Sequence, residues 1–583
     1  MRCTIKRFGQ LCLLGALIFV GPVSDAAQPD VRIEGDPAAG AVVAADHPAA
    51  ADAAWSVLRA DGSAADAAIA AALMLSVVMP ETASLAGAGA ALSYEADGRH
   101  IVAYVGREVS GAAVNPSWLK AEPGKRAPRL SGGQSVGAPT LMNMLGKLHN
   151  AQGRLEWRDL TADAARQARI GIALSERAVK SFRLAYPPKH GGAYRLLGAG
   201  AEAPEAIGRI VRNPNLASVL DAIGTDGPDV LAGGTVGKSI IQAVGGSRRR
   251  PAELTLDDLA AEAIEAPPLC VALAFAGLCA TPAPTLGGAV LETAALFAAA
   301  LPEAPKAIHW ANLMAQSHRA AMQNADRYLG DPLRFPDMTP HVLAPARLAR
   351  RGRRILPERN PGLPGATRVG EAPRGLVAAK ARRHTPPTAG VVVVDRRGDA
   401  VALTLTLSRP FGAGLVARGI FLNAANGGFD PAPDREGFHR ANAIQANKRP
   451  RLDLAPVMAL DQDRRLILAA VSAGGDRAPA YLAKAVVARL RMGRTPAAAV
   501  SAPNIASFGR ITELERRTRA ERLDGGLKDI GHQPRLAPMN SALLMIARTP
   551  EGFVGVADKR GDGVVRSAPP ASKRPLDSQK RGS

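Results

Sequence analysis

His384-Thr385-Pro386-Pro387-Thr388-Ala389-Gly390-Val391-Val392-Val393-Val394-Asp395 is the stretch around which this 583-residue chain can be read. A basic, Pro/Gly-rich segment ends there and a β-branched apolar run begins, the composition of a buried strand. Thr388 stands at the junction. A break in the chain before it would give it a free α-amine. A threonine with its own amine as base is a self-contained nucleophile: the hydroxyl alone is weak, and an amine of reference pKa about 7.7–8.0 accepts its proton near neutrality.

Downstream, residues 390–395 and 400–407 read as two strands joined by Arg396-Arg397-Gly398-Asp399, a hairpin signal. In the second strand Val401, Leu403, Leu405 and Leu407 face one way, and Thr404, Thr406 and Ser408 the other. A loop of residues 397–399 pairs Thr388 with Ser408 on the polar face; a two-residue loop sets it opposite Leu407, since one step of register exchanges the faces. Further strands are expected at 419–423, 457–460 and 466–471. Ser472-Ala473-Gly474-Gly475 follows, then a helix over 478–491 and strands near 541–548 and 553–557. Upstream, a strand at 40–43 and a helix at 49–59 precede residues 67–78, apolar all round and therefore a buried helix. Strands follow at 91–94 and 101–105. The Gly-rich run 131–139 lacks both the Lys-Ser/Thr ending and the preceding strand of a phosphate loop. Residues 157–325 read as mainly helical, broken by strands near 269–273 and 278–281.

The net charge is +21, which raises the question of nucleic acid. Its distribution argues against that partner. Residues 341–387 carry +9 and the tail from Arg566 carries +4, so two Pro/Gly-rich segments without apolar period hold thirteen of the twenty-one charges. No helix-turn-helix, zinc knuckle or aromatic-plus-basic stacking pattern accompanies them.

At the N-terminus, Arg2, Lys6 and Arg7 precede an apolar run over 11–23, and Ser24-Asp25-Ala26 supplies small residues for a signal peptidase. The run is shorter than the roughly 20 residues a membrane span needs. A cleaved signal at 1–26, a secreted or periplasmic protein and no stable membrane span are therefore expected. Of four cysteines, Cys3 and Cys12 leave with the signal. Cys270 and Cys279 flank what reads as a hairpin and can pair in an oxidising compartment if the turn aligns them. No His or Cys cluster has metal-ligand spacing, and no cofactor is implied.

Several stretches in order complete the reading: residues 47–58 with 62–68, Gly106-Arg107-Glu108, 132–139, 155–169, 255–259, 282–288, 326–332, 388–411, 419–429, Lys448-Arg449-Pro450 and Gly474-Gly475. Together they resemble the gamma-glutamyltranspeptidase family of N-terminal-nucleophile hydrolases. The resemblance implies an α/β (α+β) fold of the four-layer αββα sandwich type. It also implies a precursor that cleaves itself before a threonine and whose two pieces stay together as a heterodimer. Counting back from Val392-Val393-Val394-Asp395, that threonine is Thr388; Thr385 is a rival, but strand spacing fits Thr388. Cleavage of Pro387–Thr388 would give a large-subunit region 27–387, ending in a flexible basic segment 340–387, and a small-subunit region 388–565 followed by a disordered basic tail 566–583. By the same resemblance Thr406 supports the nucleophile, Gly474 and Gly475 hold the oxyanion with their N–H groups, and Arg107 holds the glutamyl α-carboxylate.

The departures from the family pattern fall around the head group. Ala389-Gly390 replace Thr-His, Ser408 an asparagine, Ala425 an amide, and Gly428 the acid that grips the substrate α-ammonium; Leu452-Asp453 replace two serines. A buried ammonium without its carboxylate costs several kcal/mol. Asp453 or Asp430 could take over that role, which adds Ser408 and Asp453 to the candidate substrate contacts. The expected activity is cleavage of a γ-glutamyl, glutathione-like amide or a related acyl amide through an acyl-enzyme, with a small-molecule amide as substrate. The alternatives are an acylase of non-glutamyl amides and a homologue that keeps the fold for binding or structure without catalysis.

Overall fold

The strand Ala389–Val394 is buried over its whole length and has a different neighbour on each face. Val391 and Val393 pack against helices; Val392 and Val394 pack against a second sheet. A run apolar on both faces is what such a position requires. The computed structural model describes residues 40–120, 130–185, 191–362, 365–379, 386–433 and 436–568. The expected signal segment 1–26, Thr385 and the chain beyond Ala568 lie outside the described residues.

The first sheet has seven strands in the order Val564–Ser567, Val42–Ala45, Ala389–Val394, Ala400–Thr406, Ala88–Glu95, His100–Gly106 and Ile264–Ala266. The second has six: Gly552–Ala557, Leu544–Thr549, Leu466–Val471, Val457–Leu460, Ala276–Ala280 and Leu269–Leu273. Between them lies a core that includes Leu92, Val392, Val394, Met458, Ala469 and Ile546. Helices Pro48–Arg59, Ala64–Val78, Leu141–Gln152 and Trp157–Ile170 share a core with the first sheet, and Gly287–Ala300, Ala307–Tyr328 and Ala478–Leu490 share one with the second. This is the expected αββα sandwich. The helix Ala64–Val78 is buried except at its last residue, and a reciprocal cap holds its start: Ser63 Oγ accepts from Asp66 N, and Asp66 Oδ2 accepts from Ser63 N.

The hairpin after Thr388 takes neither expected register. Asp395 and Asp399 face each other, with Asp395 N donating to Asp399 O at 2.9 Å, so the loop is Arg396-Arg397-Gly398. The Asp395 carboxylate closes it by accepting from the N–H groups of Arg397 and Asp399, and Gly398 supplies the left-handed residue at φ 88°. The last ladder pair is Ala389 with Leu405, which sets Thr388 opposite Thr406.

Two expectations about the basic segments are corrected. Within 340–387 the helix Pro345–Gly352 is formed, anchored by Arg351, whose Nε lies 3.2 Å from buried Glu292 and whose Nη2 donates to the Ala320 and Gly365 carbonyls. The boundary at Arg566 also moves, because Val564–Ser567 pairs antiparallel with Val42–Ala45 and Arg566 bonds Asp52 at 2.7 Å. In both places composition concealed arginines that have partners in the fold. Cys270 and Cys279 face each other on adjacent strands and form a disulfide. The glycines of 131–139 serve close packing: a Cβ on Gly132 would sit 1.8 Å from the Arg249 carbonyl oxygen. Among the described residues no helix is long and apolar enough to cross a membrane.

Candidate active site

Thr388 lies at the open end of the central hairpin and is 9% exposed. Its Oγ1 is 3.4 Å from the Pro386 carbonyl oxygen, a weak contact that leaves the hydroxyl little constrained. Thr406, opposite it, is held much more firmly. Thr406 Oγ1 donates to the Pro387 carbonyl at 2.6 Å and accepts from Ser408 N at 3.0 Å, so both the proton and a lone pair have fixed directions. The backbone beneath is tight, since a Cβ on Gly87 would lie 2.7 Å from the Thr406 carbonyl oxygen. Ser408, two residues past the strand, has φ 64°, a left-handed conformation that costs a non-glycine residue about 1–3 kcal/mol. Its Oγ accepts from Arg107 Nη1 at 2.9 Å.

Arg107 is 2% exposed, and all five of its N–H groups have acceptors. Nε donates to the Pro450 carbonyl, Nη1 to Glu108 Oε2 and Ser408 Oγ, and Nη2 to the carbonyls of Arg451 and, more weakly at 3.4 Å, Ala425. Burial pushes the carboxyl of Glu108 up, against the opposing pull of Arg107. A Cβ on Gly428 would meet Arg107 Nη2 at 2.9 Å. The guanidinium therefore occupies ground that a side chain at position 428 would need.

A small cavity of about 20 Å³ is bounded by Arg107, Pro386, Thr406, Ser408, Gly428 and Asp453, among others. Five of these six surfaced in the sequence as candidate contacts or departures, and the sixth, Pro386, lies in the stretch just before Thr388. Neither Thr388 nor the glycine pair belongs to its lining, and neither does Asp430. Gly474 (φ 119°) and Gly475 (φ 56°) make the turn from Leu466–Val471 into the helix Ala478–Leu490, and a Cβ on Gly474 would strike the Tyr481 ring at 2.6 Å. The strand leading to this turn packs directly on the strand of Thr388: a Cβ on Gly390 would meet Val471 Cγ2 at 2.7 Å. Ala389-Gly390 is thus a close-packing solution, with no room for the histidine of the family pattern.

Two residues without a sequence signal complete the site. Arg451, in the middle of Pro450-Arg451-Leu452, pairs with Asp326 at 3.1 Å, Asp453 at 2.8 Å and Asp476, the residue after the glycine pair. Burial alone would lower its pKa, but Asp453 and Asp326 hold it above the usual arginine range. Asp46 bonds the strand after Thr388 twice at Gly390, donating from its N to the carbonyl at 3.1 Å and accepting from the N–H on Oδ2 at 2.7 Å. Its own burial pushes its carboxyl up to about 7. Asp326 lies 125 residues from Arg451, and Asp46 lies 344 from Gly390, so no local pattern marks these pairings.

The family model described as Gamma-glutamyltranspeptidase matches residues 50–568. The chain belongs to the gamma-glutamyltranspeptidase family. Within it, glutathione hydrolase 7 of Homo sapiens is 27% identical over 417 residues, covering 69% of this chain; the match spans 59% of that relative's length. The glutathione hydrolase proenzyme of Escherichia coli (strain K12) is 26% identical over 467 residues, 77% of each protein. In three dimensions the chain overlays the crystal structure of cephalosporin acylase from Bacillus halodurans with TM-score 0.77 at 19% identity, covering 91% of this chain and 96% of that one. That likeness concerns the fold.

Proposed function

We propose that this chain is a self-processing amidohydrolase or acyltransferase with Thr388 as nucleophile. The observation that carries the reading is the 2.6 Å hydrogen bond from Thr406 Oγ1 to the Pro387 carbonyl. That carbonyl belongs to the bond that must break, and a donor aimed at it favours the negative charge that attack would create. In the processing step Thr388 Oγ1 adds to the Pro387 carbonyl carbon, and its proton passes to the departing amide nitrogen. The C–N bond breaks and the upstream chain is carried as an ester. Water hydrolyses the ester, which leaves a carboxylate on Pro387 and a free α-amine beside the Thr388 hydroxyl. In turnover that amine takes the hydroxyl proton, Thr388 attacks a substrate amide, and the N–H groups of Gly474 and Gly475 hold the oxyanion. Water or an amine then releases the acyl group. The two pieces would stay together as a heterodimer, because Ala389–Val394 lies between Val42–Ala45 and Ala400–Thr406. The Cys270–Cys279 disulfide fits a secreted or periplasmic protein.

Family membership supports a γ-glutamyl, glutathione-like amide as acyl donor. One observation favours a second reading, an acyl group without an α-ammonium. Asp453, the carboxylate in the cavity lining, is paired with Arg451, Glu108 is paired with Arg107, and position 428 has no side chain. The test is a denaturing gel with N-terminal sequencing of the purified chain, followed by assay on γ-glutamyl and glutaryl anilides, which differ only in that ammonium. A fragment beginning at Thr388, absent from Thr388→Ala, is expected. A single full-length band that persists on incubation would sink the reading.

A further inference from the structure

A second cavity, of about 290 Å³, opens beside the helix Ala307–Tyr328 and shares no lining residue with the cavity near Thr406. Its walls are largely apolar, with Ala320, Ile355 and Leu356 among them, yet three arginines also line it: Arg319, Arg351 and Arg354. Among the described residues, only one has a carboxylate partner. Arg351 has buried Glu292 at 3.2 Å. Arg319 is 2% exposed and among the described residues has no carboxylate within ion-pair distance. Its Nη2 meets Asn360 Oδ1, its Nη1 reaches the Gly509 carbonyl only at 3.5 Å, and its buried Nε has no acceptor among the described residues. Arg354 is exposed and likewise has no carboxylate partner among the described residues.

An isolated buried charge is among the most costly features a fold can hold, and proteins normally pair it or neutralise it. Here burial, with no opposing carboxylate, draws the Arg319 guanidinium down to about 10, still far above physiological pH, so the cation persists. A permanent cation in an apolar-walled hollow of this size matches the make-up of small-molecule sites, which are mostly apolar with one or a few charged groups to fix orientation. A planar fork of donors suits a carboxylate, and the apolar wall suits a hydrocarbon body rather than a bare inorganic anion.

We propose that this cavity is a binding site for an organic monocarboxylate with an apolar chain, its carboxylate on Arg319 with Arg354 at the mouth and its chain along Ala320, Ile355 and Leu356. The site is independent of the Thr388 chemistry.

Isothermal titration of the full chain at pH 7 with octanoate is the direct test, with 1-octanol and inorganic phosphate as comparators. One-to-one octanoate binding is expected, at least tenfold tighter than either comparator. Arg319→Met should weaken it at least tenfold while leaving the melting temperature equal or higher, since it removes an uncompensated buried cation. Arg354→Ala, at an exposed position, should weaken it several-fold without touching the fold. Absence of octanoate binding to the wild-type chain overturns the proposal. So does binding that neither variant weakens, which would place octanoate elsewhere. Octanol binding as well as octanoate, or phosphate displacing it, would refute the pairing of charge with apolar chain.

Discussion

Thr406→Val is the most informative single change, because it keeps the shape of the side chain and removes one hydroxyl with two assigned jobs. The lost donor is the one at 2.6 Å from the Pro387 carbonyl oxygen. Removing one preorganised donor from a developing oxyanion typically raises a barrier by about 3–4 kcal/mol, so autocleavage is expected to slow by about 10²–10³-fold. The lost acceptor leaves Ser408 N, 3.0 Å away, without its partner in a mostly buried place, which should lower stability by about 1–3 kcal/mol. The two effects separate cleanly. Precursor made by cell-free synthesis and sampled over time on a denaturing gel gives the cleavage rate, while a denaturant titration of the same variant gives stability. Thr406→Ser, which keeps the hydroxyl, should recover most of the rate. If folded Thr406→Val releases the fragment beginning at Thr388 at the wild-type rate, the Pro387 carbonyl is not activated by Thr406 and the processing step derived above is wrong.

Two further outcomes follow from the same geometry. Gly428→Asp places a Cβ 2.9 Å from Arg107 Nη2 and offers that guanidinium a carboxylate in place of the long bond to Ala425. The ratio of activity on γ-glutamyl over glutaryl anilide should rise, by up to tenfold if the new acid also reaches the α-ammonium; an unchanged ratio would mean that position 428 does not face the head group. Asp46 has a carboxyl raised from 3.8 to about 7 by burial, so between these values the folded chain holds a proton that the unfolded chain has lost. Stability from this group is therefore present at low pH and is lost as pH rises from about 4 to 7, with a ceiling of about 4 kcal/mol at 1.36 kcal/mol per unit. Asp46→Asn should flatten that part of the denaturation-midpoint profile relative to wild type, and parallel profiles would show that Asp46 titrates normally.

How far the sequence reaches can be judged at particular residues. The strand carrying Thr388, the buried helix Ala64–Val78 and the glycine turn at 474–475 were all legible. Each is specified by a local property: β-branched apolar composition, apolarity around the full turn, and two residues free to take positive φ. Alternation likewise put Thr404 and Thr406 on one face. It did not fix the pairing, because period two is satisfied by every second register; the Asp395 carboxylate, by closing a loop at 396–398, selected the one that faces Thr388 with Thr406. The same limit applies to charge. Sequence shows that Arg107 is cationic, but only the fold shows that five acceptors from residues 108 to 451 already use its five N–H groups. Arg351, read as part of a basic run, is bound to Glu292, whereas Arg319 in a plain helix has no carboxylate partner among the described residues. Residue type and periodicity are properties of the chain; whether a donor is satisfied or a charge compensated depends on atoms tens to hundreds of positions away, and only packing brings those together.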